Sequence, residues 1–205
     1  MLGILDIGLG NPAAIFNVCR HARIDVKGIQ TPADLTACDR IILPGVGAFD
    51  TGMEMLIARG LEKALKEYVA QGGWILGICL GFQLLTNGSE EGVLPGLGLL
   101  PAYTKRLTPS PGLRIPHMGW SDVVMKGEGG GLISEGQRFY FVHSYHVDCA
   151  SSSHVIGLVT HGVEIVAAAR SGRVLGVQFH PEKSRDYGMR LIRCFNELDR
   201  CIDHA

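Results

Sequence analysis

Residues 2–6, 40–43 and 74–78 are short runs of almost uninterrupted apolar side chains. A strand with one wet face alternates apolar and polar residues. A run without alternation has to be covered on both faces, which is the signature of a parallel sheet between two helical layers. Helical patterns separate these runs. Residues 12–22 follow Asn11, a good N-cap, with Pro12 at the first helical position. Residues 60–70 carry Leu61, Leu65, Tyr68 and Val69 at helical spacing with charges between them. A third helix is expected at 80–85, directly after a strand. A last one is expected at 184–198, with Met189, Ile192, Phe195 and Asn196 inward. The expected fold class is therefore α/β, an open, mostly parallel sheet with helices on both faces. Runs at 138–142, 155–159, 165–169 and 174–178 add strands with few helices between them, so antiparallel additions make the sheet mixed. Residues 127–131 and 150–153 read as loops, and a single domain over 1–205 is expected.

Composition removes several function classes. Hydrophobic residues are 46% and charged residues 19% of the chain, and the net charge is −1. That is a globular balance with no basic stripe, so no nucleic acid is expected as partner. None of the six cysteines pairs in a C-x-x-C motif, and no metal site is expected. The N-terminal segment has no basic region before its apolar run, and the longest apolar stretch, 74–85, is too short to span a bilayer. A reduced, cytoplasmic chain without membrane contact is the expectation. The 28 glycines are about twice the usual share of ~7%, which suits tight loops near a ligand.

The sharpest local motif is Gly77-Ile78-Cys79-Leu80-Gly81. It lies between an apolar strand and a helix, the nucleophile-elbow arrangement with Cys in place of Ser. Such a turn is strained and needs small flanking residues. It lifts the sulfur out at the C-terminal sheet edge, where open α/β folds bind ligands. A buried apolar cysteine in a glycine turn would give the same pattern. A second motif, Gly176-Val177-Gln178-Phe179-His180-Pro181-Glu182, places a histidine after a strand and a carboxylate two residues on. In extended backbone these two share a side. Glu182 could then hold one ring nitrogen of His180 while the other takes a proton from Cys79, the logic of a hydrolytic triad. A lone strand-end histidine is more often structural; the carboxylate and the elbow favour catalysis. A third motif, Leu43-Pro44-Gly45-Val46-Gly47-Ala48-Phe49, offers backbone N–H groups. With the Leu80 N–H these could form an oxyanion hole, although an ordinary strand-to-helix turn would satisfy the pattern equally.

The elbow extended to Gln83, together with His180-Pro181-Glu182, resembles the class I (triad) glutamine amidotransferases, which have a flavodoxin-like sheet. Leu43–Phe49, Pro116-His117-Met118-Gly119-Trp120, Tyr140-Phe141-Val142-His143-Ser144-Tyr145 and 176–184 narrow the likeness to the glutaminase subunits of imidazole glycerol phosphate synthase. It spans roughly residues 2–198. The resemblance implies hydrolysis of glutamine to glutamate and ammonia without a cofactor. It also implies a one-to-one heterodimer with a (β/α)₈-barrel synthase subunit of histidine biosynthesis, which receives the ammonia through an internal channel. By position it makes Cys79 the nucleophile, His180 the base and acid, and Glu182 its orienter. Gly47 and Leu80 supply oxyanion N–H groups, and Gln83, Glu91, Ser144 and Tyr145 hold glutamine. His117, Met118, Trp120 and Lys183 face the barrel. A helix-surface glutamine, a solvated glutamate and core packing of His117 and Trp120 are the plainer alternatives. The chain departs from the family's usual pattern at Ile7 (Tyr), Ala14 (Ser) and Ser121 (Asn), toward the expected partner face. A paralogous glutaminase feeding another barrel synthase, as in surface-sugar amidation, is the alternative that these departures keep open.

Overall fold

The computed structural model describes residues 1–108, 112–127 and 131–198. Cys201 and most of the 127–131 loop lie outside them. The chain begins with β1 (Leu2–Leu5), α1 (Pro12–His21), β2 (Val26–Ile29), β3 (Arg40–Gly45), α2 (Phe49–Ala58), α3 (Leu61–Ala70), β4 (Trp74–Cys79) and the short α4 (Leu80–Leu84). It continues through β5 (Ala102–Arg106), β6 (His117–Asp122), β7 (Val124–Met125), β8 (Arg138–His143), β9 (Tyr145–Cys149), β10 (Val155–His161), β11 (Val163–Ser171) and β12 (Val174–Val177), and then α5 (Arg185–Glu197).

Eight strands form one sheet in the order β2-β1-β3-β4-β12-β11-β10-β7. The first five are parallel, and β11, β10 and β7 join antiparallel. β5–β9 and β6–β8 are separate antiparallel ribbons. The mixed, mostly parallel sheet expected from the apolar runs is thus observed. The reason is visible in the side chains, since β1, β3, β4 and β12 are buried at every position. Along β4, Leu76 and Ile78 enter one apolar cluster with Ile15 and Cys19 of α1 and Leu191, Ile192 and Phe195 of α5. Ile75 points the other way, into a cluster with Phe49, Met53 and Leu56 of α2, Leu61 and Leu65 of α3, and Phe82 of α4. Among the described residues no helix is long and apolar enough to cross a membrane.

One helix expectation holds and another is refined. α1 starts as expected, with the Asn11 side chain accepting from the Ala14 N–H at 3.1 Å. On α5 the buried residues are Gly188, Leu191, Ile192 and Phe195, while Met189 and Asn196 are half-buried. The expected loop at 150–153 runs into a 3-10 turn at Ser152–His154. β3 extends beyond residue 43 through Pro44 and Gly45.

That extension brings β3 against α4. A Cβ on Gly81 would meet the Leu43 carbonyl, and one on Gly45 would lie 2.7 Å from the Gly81 nitrogen. Glycine at 81 is therefore a packing requirement. We predict that Gly81→Ala destabilises the fold by about 3 kcal/mol, the upper end of the usual cost of overpacking, because the clash is with backbone. Urea unfolding checks this, and a midpoint equal to the parent's would contradict it.

Candidate active site

Cys79 ends β4 with φ 53° and ψ −110°, a left-handed backbone that costs a non-glycine residue free energy. The flanking glycines make the turn possible. A Cβ at Gly77 would lie 2.6 Å from both the Gly81 carbonyl oxygen and the Phe82 Cα. The sulfur approaches two groups that the sequence analysis did not single out. The Val142 carbonyl accepts from the thiol at 3.9 Å, and the Gln178 side-chain N–H lies 3.8 Å from the sulfur.

β12 is hydrogen-bonded beside β4, and its continuation carries Gln178 and His180 to the same edge. The His180 N–H donates to the Tyr140 carbonyl at 2.8 Å. The buried Ser184 hydroxyl donates to the His180 carbonyl at 2.6 Å and accepts from the Tyr140 N–H at 3.0 Å. With the backbone held so, His180 Nδ1 donates to Glu182 Oε1 at 2.7 Å. The path between them is a 3-10 turn, Pro181–Lys183, rather than the extended segment expected. Nε2 is buried, makes no hydrogen bond of full geometry, and has the Cys79 thiol as its interacting neighbour. Burial pulls the His180 pKa down. The interactions with Cys79 and Glu182 outweigh it and push it up to about 9.

A pocket of about 370 Å³ opens over Cys79. Val46, Gly47, Leu80, Gln83, Glu91, Ser144 and Tyr145 line it, so the expected oxyanion and substrate residues converge on one space. Gly47 has φ +114°, a conformation that leaves its peptide plane free to turn. Leu80 opens α4, where amides lack intrahelical acceptors. Gln83 is buried, and its Nε2 donates to the Tyr145 carbonyl at 3.0 Å and to Gln178 Oε1 at 3.3 Å. Its oxygen remains as the group able to face a ligand. Glu91 accepts from the Phe49 N–H at 3.0 Å. Its pKa is raised, because burial outweighs that hydrogen bond. The Asp50 carboxylate accepts from the Val93 and Leu94 N–H groups and so ties the Glu91 loop to α2.

The expected partner face divides. Met118 and Trp120 are exposed on β6. Lys183 lies 5.6 Å from the Tyr140 ring centre and Arg185 lies 5.8 Å from that of Trp120. His117 does not belong to that surface. It is 3% exposed, stacked on Phe141 at 4.7 Å, because successive residues of a strand face opposite sides. Burial lowers the pKa of His117 to about 4 and that of His143 to about 3. Of the functional candidates that the sequence reading missed, Gln178 had a usable signal, since it precedes His180 by two residues at a strand end. The Val142 carbonyl had none, being backbone.

Comparison with known proteins adds a family. The model of the glutamine amidotransferase class-I family matches residues 4–197. A Bdellovibrio bacteriovorus protein described as imidazole glycerol phosphate synthase subunit HisH is 42% identical, over 97% of this chain and 100% of its own length. A Streptococcus sanguinis protein of the same description is 40% identical over 96% of both chains. An Arabidopsis thaliana protein, imidazole glycerol phosphate synthase hisHF, chloroplastic, is 40% identical over 94% of this chain and 33% of its own length. Among solved structures, one described as a glutamine amidotransferase superposes with a TM-score of 0.77 at 24% identity, covering 96% of this chain and 97% of that one.

The His180–Glu182 contact has a titration signature. Removing the carboxylate while burial remains should lower the imidazole pKa from its raised value of about 9. A histidine raised in the folded state adds stability that is complete below its unfolded value near ~6.5. That stability is lost as pH rises through the folded value. NMR titration of His180 should show a lower midpoint in Glu182→Gln, and the parent should lose more stability than the variant over this pH window. Equal midpoints would contradict the assigned role of Glu182.

Proposed function

Since this chain belongs to the class-I glutamine amidotransferase family, and within it to the HisH subunits of imidazole glycerol phosphate synthase, we propose that the pocket over Cys79 binds glutamine and that Cys79, His180 and Glu182 hydrolyse it. The observation that carries this reading is a cysteine in strained backbone beside a buried imidazole, itself bonded at 2.7 Å to a carboxylate, at the mouth of one pocket. The chain is the glutamine-hydrolysing subunit of histidine biosynthesis.

The chemistry follows from the geometry. Cys79 sulfur, its proton passed to His180 Nε2, attacks the side-chain amide carbon of glutamine. The carbonyl oxygen becomes an oxyanion, for which the Leu80 and Gly47 N–H groups are the available donors. Collapse of the tetrahedral species breaks the C–N bond, and the His180 imidazolium protonates the leaving nitrogen, giving ammonia and a thioester. Water then gives a proton to His180, attacks the thioester carbon and releases glutamate, while the returning proton restores the thiol. The Glu91 carboxylate suits the α-amino group, and the Gln83 oxygen and the Ser144–Tyr145 segment complete the amino-acid end. Gly45, Val46 and Gly47 form the element able to turn an N–H into the oxyanion position, so we expect a slow lone subunit that speeds up on binding a ligand-loaded partner.

The partner is a synthase subunit, a one-to-one (β/α)₈ barrel in this proposal. The Arabidopsis protein supports a joined arrangement, since the counterpart of this chain fills only 33% of its length. Ammonia must pass on before solvent protonates it, which calls for a water-excluding contact beside Cys79. Exposed Met118 and Trp120 supply apolar anchors. Lys183 at the rim would add only about 0–1 kcal/mol through an ion pair.

Two experiments test this. Cys79→Ala should lower glutamine hydrolysis by about 10³-fold or more while partner binding persists; parent-like turnover would refute the nucleophile. Trp120→Ala should weaken the complex or release ammonia into solution while glutamine is still consumed. Unchanged affinity together with an unchanged ratio of glutamate to synthase product would refute this docking face.

A further inference from the structure

β6 exposes Met118 and Trp120, and its buried residue His117 belongs to a hydrogen-bonded chain that reaches the nucleophile. The direction of that chain can be deduced. His143 Nδ1 lies 2.9 Å from the Tyr145 carbonyl, which can only accept, so Nδ1 carries the proton. Buried and neutral, His143 must then accept at Nε2, and His117 Nδ1 donates to it at 3.0 Å. His117, also neutral, is left to accept at Nε2, where the Ser121 hydroxyl donates at 3.0 Å. The ring of His117 is clamped between Phe141 and His161, whose centroid is 4.2 Å away. His161 is held in turn by the Arg114 carbonyl at 2.8 Å.

Beyond Tyr145 the chain continues. The same carbonyl accepts from Gln83, whose second N–H goes to Gln178 Oε1. Gln83 must therefore present its nitrogen, not its oxygen, to both neighbours. Gln178 is then oriented with its own N–H toward the Cys79 sulfur. One carbonyl oxygen thus sets two imidazole tautomers and the rotamers of two amides.

We propose that His117 and Ser121, which lie outside the pocket, are positioning residues for glutamine: through the tautomer of His143 they hold the Tyr145 carbonyl, and with it Gln83, in the geometry that the substrate meets. This rests on the reading of the pocket as a glutamine site. Ser121 departs from the asparagine usual in the family, yet both side chains offer a donor to His117 Nε2, so the departure preserves the chain. The arrangement also joins the strand bearing the expected docking face to the floor of the pocket.

Two independent readouts test it. Long-range ¹H–¹⁵N spectra of the imidazoles should show His117 and His143 both protonated at Nδ1, and an Nε2–H form of either overturns the proposal. In the presence of saturating synthase subunit, His117→Phe keeps the ring stack but leaves His143 Nε2 without a donor. It should raise the KM for glutamine about 5- to 20-fold, the loss expected for one unsatisfied buried acceptor, with kcat within about twofold. His117→Asn, which can donate from the Nδ1 position, should recover most of the loss. If His117→Phe does not fold, Ser121→Ala and Ser121→Asn decide the matter, since the first should raise KM about threefold and the second should not. A parent-like KM in His117→Phe, or in Ser121→Ala, overturns the positioning role. The tautomer spectra need no turnover, so a parent protein that fails to hydrolyse glutamine would refute the pocket reading and leave the tautomer result standing.

Discussion

The site depends on the in-register parallel pairing of β3, β4 and β12. Gly45 lies beside Cys79, and Val177 beside Ile78, so three neighbouring strands end at one edge. Everything that leaves those ends converges: the Val46–Gly47 peptide, the first amide of α4, and the turn that carries Gln178, His180 and Glu182. No single loop could bring together groups so distant in the chain. The strain at Cys79 is sustained because β4 is buried on both faces and hydrogen-bonded on both edges. The strand cannot relax without breaking the ladders that define the sheet.

Burial lowers the pKa of every histidine near this edge, yet the net shifts differ in sign. His117 and His143 are buried among rings and carbonyls without a carboxylate partner, and their pKa values fall. His180 is equally hidden, but Glu182 and the Cys79 thiol lie against it, and its pKa rises to about 9. The difference is the neighbouring carboxylate and sulfur, not exposure. The cysteines divide in a related way. Burial pushes Cys19 up to about 12 and Cys149 up to about 11, which makes them inert apolar residues. Among the described cysteines, Cys79 is the one set on a strained turn at a pocket.

The sequence revealed those parts of the fold whose burial is two-sided. β1, β3 and β4 left short, almost uninterrupted apolar runs between helical patterns. β2 escaped notice because it is an edge strand carrying Lys27 and Gly28. α2 did so because Gly52 interrupts a pattern that Phe49, Met53 and Leu56 otherwise keep. In the fold that glycine lets α2 settle on α4, where a Cβ would stand 3.0 Å from a Leu84 methyl group. In the site, Cys79, His180 and Glu182 were legible because each sits in a local turn with a mechanical reason for its neighbours. Gln178 carried only the weaker signal of its place two residues before His180, and for His117 the sequence left surface and core open, since the contacts that decide both come from partners distant in the chain. Of the partner face and the core packing that the sequence left open for His117, the pairing of β6 with β8 selects the core.

We propose that the turn at Cys79 makes this one thiol the nucleophile toward glutamine. Treating the native protein with a glutamine analogue that bears an electrophilic carbon in place of the amide, followed by peptide mass mapping, tests it directly. One covalent adduct per chain is expected, on Cys79, formed more slowly when glutamine competes. An adduct on Cys19, Cys38 or Cys149 instead, or labelling of Cys79 that glutamine does not slow, would contradict it.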